Sequence, residues 1–401
     1  MDNTTTQSGA LAWVNQRFPL SLFLKKHITG YLAPRNFNVW YFFGSILLFV
    51  FALQIISGIW LVMEYTPTAE NSFASVQHIM REVRYGWLIR LIHTTGASAF
   101  FAIVYLHMYR SFIYGSYQKP RELVWLVGMV IYLMLLLEAF TGYVLPWGQM
   151  SFWGASVITS FASALPYVGH LLIVWLRGDY NVSGVTLHRF FSLHVVAVPL
   201  LLCVFIYTHL VALHHVGSNN PDGIDLKPQD KIPFHPYYTV KDLFGVGVFL
   251  LVFCAVLFFA PTFGGLFLEP DNNLLANPLQ TPDEIAPVWY MTPFYAILRA
   301  VPNKLLGLVC MGAAIALMFV LPWLDKSRVR SIRYKGALSK IAIAVFVVSF
   351  VGLGVLGHEA VSPLKTALAR FFALGYFAFF LLMPFYSRYE KTKPLPDRVS
   401  S

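Results

Sequence analysis

The sequence predicts an all-α polytopic membrane protein with eight transmembrane helices and amphipathic surface helices in its long loops. Three observations predict it. Of 401 residues, 57% are hydrophobic and only 12% charged, and mean hydropathy is +0.61, the profile of a membrane protein rather than of a soluble one with a large core. Eight apolar runs can each span a hydrocarbon core about 30 Å thick: 40–63, 88–113, 123–145, 187–213, 243–260, 305–323, 338–356 and 366–386. The basic residues are also lopsided, with 20 of the 29 Lys and Arg on the side of the termini and of the loops after the second, fourth and sixth runs, counting Arg110 and Lys340 at the adjoining run ends. An even number of spans returns the chain to its starting side. Positive charge stays in the cytoplasm, so both termini are expected there.

This asymmetry accounts for most of the net charge of +10. The basic segment 325–340, DKSRVRSIRYKGALSK, reads as a topology anchor, and no nucleic-acid partner is expected. Cys203, Cys254 and Cys310 all lie inside apolar runs and read as small buried residues, giving no disulfide frame, zinc site or CxxCH attachment. The N-terminal stretch MDNTTTQSGALAWVNQRF lacks the pattern of a signal peptide.

The second run carries His93 and His107, fourteen residues apart. On an α-helix fourteen steps turn about 1400°, roughly 40° short of four turns, and rise about 21 Å. Both imidazoles therefore leave one face, near opposite edges of the membrane. The fourth run repeats the device with His194 and His209. Packed, hydrogen-bonded histidines are the alternative for any one of them. Four in matched pairs, where ionisable groups are costly, point instead to ligands clamping two stacked haems. The two runs are parallel, which pairs His93 with His194 near the outer face and His107 with His209 near the inner face.

Glycines support this. Gly44 and Gly58 are fourteen apart on the run before, and Gly128 and Gly142 fourteen apart on the run after. A flat macrocycle between helices needs backbone without a Cβ at its two depths. Arg90 and Arg110 lie three residues outside the first pair, where haem propionates would emerge. With no covalent attachment motif, any haem is held by ligation alone.

Two outer loops are too apolar to be mere connectors. One runs MSFWGASVITSFASALPYVGHLLIVWLRG, an amphipathic pair of segments; the other ends PDEIAPVWYMTPFYAILRAVP. The inner loop LHHVGSNNPDGIDLKPQDKIPFHPYYTVKDL carries His214, Ser218, Lys241 and Asp242 beside the inner haem position.

With these pieces in order, GYVLPWGQMSFWGA, the paired histidines, LHHVGSNNPDG, FHPYYTVKD and APVWY, the chain resembles cytochrome b, the quinol-oxidising membrane subunit of the cytochrome bc complex, in its respiratory bacterial form. The resemblance covers nearly the whole length. It implies a haem-binding bundle over 1–215, an inner quinone-site loop over 216–242 and a C-terminal four-helix region with the outer quinol loop over 243–401. His93 and His194 would ligate a low-potential haem, His107 and His209 a high-potential one. Tyr143, Trp153, Gly154, Pro287, Trp289, Tyr290 and Tyr295 would line the outer quinol site, and His214, Ser218, Lys241 and Asp242 the inner quinone site. The implied scheme oxidises ubiquinol outside and passes one electron to a Rieske-type iron–sulfur protein and on to a membrane-anchored c-type cytochrome. The other crosses both b-type haems to reduce ubiquinone inside, translocating protons. His214 and Asp242, an imidazole and a carboxylate in the loop flanking the inner-haem span, are expected to serve proton uptake there, the alternative being a structural salt bridge of Asp242 near Lys241. A homodimeric complex surrounded by lipids in the bacterial inner membrane is implied too.

Three departures matter. The second histidine pair is fifteen residues apart where the family mostly has fourteen, with Pro199 between them to absorb the extra residue as a kink or wide turn. The family's asparagine near the start of the first span is absent from WYFFGS. Val288 stands where many relatives carry glutamate, and valine cannot accept a quinol proton. Asp283, Glu284 and the Tyr143 phenol are the nearby substitutes, of which Glu284 is favoured. Two rival functions remain: a haem-free transporter, which predicts repeats or broken helices not found here, and the b-type haem membrane anchor of another quinone-linked dehydrogenase, which has no need of the APVWY loop.

Overall fold

The structure, a computed structural model, describes residues 9–25 and 29–400; residues 1–8, on which the signal-peptide reading partly rests, lie outside the described residues. In chain order the elements begin with α1 (Ala10–Arg17), α2 (Leu20–Leu24), β1 (Leu32–Pro34), α3 (Phe43–Glu64), α4 (Ser72–Arg81), α5 (Gly86–Tyr114) and α6 (Glu122–Val144). Next come α7 (Gln149–Ser160), α8 (Gly169–Arg177), α9 (Gly184–Ser192), a π turn at Leu193–Ala197, α10 (Val198–Val216), β2 (Lys231–Pro233) and α11 (Tyr237–Phe259). The last are α12 (Thr292–Ala300), α13 (Lys304–Leu324), α14 (Ala337–His358), α15 (Pro363–Leu381) and α16 (Met383–Tyr389).

Among the described residues, eight segments are long and apolar enough to cross a membrane: α3, α5, α6, α9–α10 taken together, α11, α13, α14 and α15. They are the eight expected runs, with ends moved by a few residues. The chain is a multi-pass membrane protein. Its last span is shorter than the apolar run suggests. Pro384 enters at the start of α16, and a proline supplies no N–H to continue the preceding turn, so α15 stops at Leu381. One departure from an all-α fold is the two-stranded antiparallel ribbon β1–β2, with Ala33 opposite Ile232.

The helices pack in two groups. In the first, α3 lies against α5 and α6 against α10; in the second, α12 and α15 lie against α14. A belt of buried aromatic rings joins the groups, including Phe112, Trp125, Phe346, Tyr376 and Phe379. Their polar tips need partners in so apolar a setting, and α13 supplies them. Pro322 removes the N–H that would bond the Met318 carbonyl four residues earlier, and Trp125 donates its indole N–H to that carbonyl at 2.7 Å. Tyr376 donates to the Ala314 carbonyl at 2.8 Å. Large apolar side chains elsewhere on the spans face outward, as lipid contact requires.

Both sides of the helix layer carry ordered loops. Opposite the termini, α7 and α8 are the amphipathic pair foreseen from the sequence, tied by Arg177, which donates to Thr159 Oγ1 at 2.8 Å and to the Ser156 carbonyl at 3.0 Å. The 260–291 loop is sewn onto the start of α7. Asn272 Oδ1 accepts from the Ser151 N–H at 2.8 Å, and Gln149 accepts from the Asn277 N–H at 2.8 Å. A Cβ at Gly148 would run into the Asn272 carbonyl, so this seam needs glycine.

On the terminal side three buried carboxylates pin the loops. Asp222 bonds Asn36, Arg333, Tyr334 and Ser400; Asp230 bonds Arg398; Asp325 bonds Lys335, Tyr117 and Gln118.

Candidate functional site

The centre of the first helix group is built from α5 and the α9–α10 helix, which bring the four histidines face to face. His93 and His194 have ring centroids 6.1 Å apart, with planes at 86°. Two imidazoles that each bond one metal ion at about 2 Å place their centroids roughly 6 Å apart, so the pair fits an iron held between them. Both rings present the right nitrogen. Ser57 Oγ spends its proton on the Leu53 carbonyl and so accepts from His93 Nδ1 at 2.9 Å. The Nδ1 of His194 donates to the Glu138 carbonyl at 2.9 Å and lies 3.1 Å from Glu138 Oε1. Each Nε2 is thereby left as a lone-pair donor, the usual arrangement of a metal-binding histidine.

Nearer the terminal side, His107 and His209 lie in electrostatic contact. The Nδ1 of His107 is buried with no hydrogen-bond partner. His209 faces the Val124 carbonyl, outside strict hydrogen-bond geometry. Arg110 sits beside this pair, 4.9 Å over the Tyr41 ring, donating to Ser116 Oγ at 3.1 Å. Its buried Nε has no partner, which suits an anionic group arriving there. Arg90 is half-buried at the other end of α5.

The four glycines face the four histidines one to one. A Cβ on Gly58 would lie 3.2 Å from His93 Cε1, one on Gly128 3.2 Å from His209 Cε1, and one on Gly44 3.7 Å from His107 Cε1. At Gly142 it would run into the His194 ring. The spacing rule read from the sequence thus has a direct cause: each glycine clears the backbone for one imidazole.

The fifteen-residue interval is absorbed by the π turn. The Val198 N–H donates to the Leu193 carbonyl five residues back, so one residue is added without turning the histidine face away. Pro199 opens α10, where its missing N–H costs least. The wide turn therefore lies just before the proline rather than at it.

On the side away from the termini, Tyr143 of α6 donates to Glu269 Oε2, and a Cβ on Gly154 would sit 3.7 Å from the Tyr143 ring. Tyr290 stacks on Phe101 at 3.8 Å and faces Glu269 electrostatically. The other expected outer-site residues are turned to structural partners. Trp153 donates to the Asn277 carbonyl at 3.3 Å, Trp289 to Ser98 Oγ at 3.2 Å and Tyr295 to the Ile285 carbonyl at 3.2 Å. Pro287 is half-buried beside them, and Val288 packs into the main core. Asp283 and Glu284 are exposed, and the carboxylate that meets Tyr143 is that of Glu269. Burial pushes Glu269 up to about 7, with the Asp271 charge adding and the Tyr143 hydrogen bond opposing.

On the terminal side, Tyr31 brings His214 and Ser218 together, stacking on the imidazole at 4.4 Å and sharing a 2.8 Å hydrogen bond with Ser218 Oγ. Arg121 donates to the Gly217 and Ser218 carbonyls at 2.9 and 3.3 Å, fixing the loop. Asp242 is bonded to Ser45 near the start of α3. That serine lies in WYFFGS, where the sequence lacked the expected asparagine. Lys241 turns to the Tyr237 hydroxyl at 2.7 Å.

Sequence reasoning passed over Glu138, Ser57 and Glu269. The first had a signal, a lone acid inside an apolar run. Glu269 had a fainter one, an acid in the apolar loop stretch FGGLFLEPDN.

Comparison with known proteins agrees with this geometry. Residues 28–217 match the family model described as Cytochrome b/b6/petB, and residues 275–377 match Cytochrome b(C-terminal)/b6/petD. The chain is 55% identical to the cytochrome b of Allochromatium vinosum over 98% of both chains, and 49% identical to that of Rickettsia prowazekii over 97% of both. Among solved structures it is similar to a chain of a hyperthermophilic respiratory Complex III, with a TM-score of 0.88 and 38% identity over 94% of this chain and 98% of that one. The chain belongs to the cytochrome b family, the haem-binding membrane subunit of respiratory ubiquinol–cytochrome c reductase.

Proposed function

We propose that this chain binds two non-covalent b-type haems, one between His93 and His194 and one between His107 and His209, and serves two quinone sites on opposite membrane faces. The facing of four histidines by four glycines supports this most directly. When bound, the haems supply one-electron carriers at two depths between those sites.

The protein's own residues do the rest. Ser57 and the Glu138 carbonyl hold His93 and His194 in the tautomer that keeps Nε2 free. Arg110 offers an unpaired N–H to a propionate beside His107. On the outer face Tyr143, Gly154 and Tyr290, with Trp153, Pro287, Trp289 and Tyr295 around them, receive ubiquinol. On the inner face His214 and Ser218, positioned by Tyr31, bind ubiquinone, and His214 and Asp242 deliver protons to it. In this reading 1–215 is the haem-binding unit, 216–242 the inner-site loop and 243–401 the region carrying the outer loop. Both termini lie in the cytoplasm of a bacterial inner membrane in this reading, which the basic loops on their side support. A Rieske-type iron–sulfur protein takes electrons from the outer site for a membrane-anchored c-type cytochrome, in a homodimeric complex.

The test is optical. His107→Ala or His209→Ala in the purified complex is expected to remove one of two b-type haems from the reduced-minus-oxidised spectrum. Two haems retained with an unchanged spectrum in either variant would overturn the ligand assignment.

A further inference from the structure

Quinol oxidation on the outer face must break two O–H bonds, so the protein needs a group that takes a proton within the site and gives it up to water. Val288 is packed into the apolar core and has no proton-accepting atom. Asp283 and Glu284 lie exposed on the loop. The side chain that combines both requirements is elsewhere.

We propose that Glu269, working through the Tyr143 hydroxyl, is the acceptor for one proton of the quinol oxidised at the outer site. The proposal rests on the outer-site assignment given above and adds the identity of the acceptor.

Geometry carries it. Tyr143 donates its hydroxyl proton to Glu269 Oε2, so the carboxyl oxygen already lies on the line along which that proton would travel. Gly154 lies against Tyr143 and leaves room for no more than a methyl-sized group beside it, since an added Cβ would already touch the ring at 3.7 Å. Glu269 is half-buried, while Pro270 and Asp271 next to it are exposed, so the carboxylate meets Tyr143 on one side and water close by on the other. The loop that carries it is held in register. Asn272, three residues on, accepts from both the N–H and the hydroxyl of Ser151 at 2.8 and 2.9 Å, and Gly148 pairs with Leu275. These contacts set where the carboxylate stands relative to Tyr143.

The titratable groups facing Glu269 are Tyr143 from α6, Asp271 from its own loop and Tyr290 from the segment before α12. With its carboxyl raised to about 7 by burial, Glu269 is ionised on the alkaline side of neutrality and matches its proton affinity to the working pH.

In the step itself, one quinol O–H bond breaks as a new O–H bond forms at Tyr143 Oη, while the Tyr143 hydroxyl proton passes to Glu269 Oε2. The electrons leave to the one-electron acceptors that the quinol–cytochrome c reductase activity already supplies. Glu269 then loses its proton to water past Pro270 and Asp271. The sign of the pH dependence follows: the rate rises with pH through about 7, as the carboxylate form is populated.

The test uses the whole complex with a short-tailed ubiquinol and cytochrome c. In Glu269→Gln the expected result is a fall in kcat of about a hundredfold with the b-type haem spectrum intact, and loss of the pH limb near 7. Tyr143→Phe should lose the same limb, and the double variant should be no slower than the worse single one. A parental rate and pH profile in Glu269→Gln would overturn the proposal. Should that variant fail to assemble, Glu269→Asp decides, because its shorter arm draws the carboxylate back from Tyr143. A lowered rate with the pH limb kept supports the role, and an unchanged rate rejects it. Gly154→Leu, which fills the face of Tyr143, tests the site separately. Undiminished quinol oxidation there would remove the outer-site assignment itself, whereas a dead Gly154→Leu beside an unaffected Glu269→Gln would remove the acceptor alone.

Discussion

Helix α5 and the α9–α10 helix do the same job by different means. The first runs 29 residues without a break and sets its histidines fourteen apart; the second sets them fifteen apart and swallows the extra residue in a π turn before Pro199. The face a side chain leaves from is therefore the conserved quantity, and residue count follows only when the helix is regular.

The strongest way to break this comparison is to add a residue where nothing can absorb it. One alanine inserted after Ala102 turns His107 about 100° and shifts it 1.5 Å relative to His93. With neither a proline nor a wide turn between those histidines, loss of at least one haem per chain is expected from a pyridine haemochrome assay. Deleting Val196 from the π turn should instead retain both haems, since it leaves the fourteen-residue spacing that α5 already uses. Equal tolerance of the two changes would show that the π turn does not set the register.

A graded comparison comes from the glycines. Gly142→Ala should weaken haem retention most, by about 5- to 150-fold for an overpacking cost of roughly 1–3 kcal/mol. Gly58→Ala and Gly128→Ala, with 3.2 Å of clearance, should be intermediate, and Gly44→Ala, with 3.7 Å, nearly silent. Haem content after a fixed detergent challenge would check the order, and a Gly44 variant as damaged as the Gly142 one would count against it.

A moderate effect confined to one haem belongs to the hydroxyl behind His93. Ser57→Ala leaves His93 Nδ1 without its acceptor, and a haem-affinity loss of about tenfold is expected there alone. An equal loss at the His107–His209 pair would mean that the change acts through packing instead.

What the sequence revealed follows the same division. Apolar length marked all eight spans, and helical periodicity placed four histidines and four glycines, because both are local properties of a regular helix. Pro199 pointed to the wide turn but not to its position, since a π turn relieves the carbonyls before the proline. The outer site was only partly legible. Tyr143 and Gly154 could be read from their motif, but the meeting of Tyr143 with Glu269 joins residues 126 positions apart and depends on the Gly148–Leu275 seam. Trp153, Trp289 and Tyr295 carried the expected motif, yet each donates to a partner that holds the loops in place. The β1–β2 ribbon went unread because three-residue strands leave no periodic signal.

The Asp222 junction has a consequence in time. One carboxylate gathers Asn36, Arg333, Tyr334 and Ser400, segments that a ribosome delivers across more than 360 residues. The junction is complete only once residue 400 has been made, so this face closes last, after every span has entered the membrane. Acid should undo it as a unit. Burial pushes the Asp222 carboxyl up, but Ser400 and Arg333 hold it below the ordinary range. Its contribution is present above the ordinary carboxylate pKa and lost as pH falls through the folded value, releasing the earliest and latest segments together.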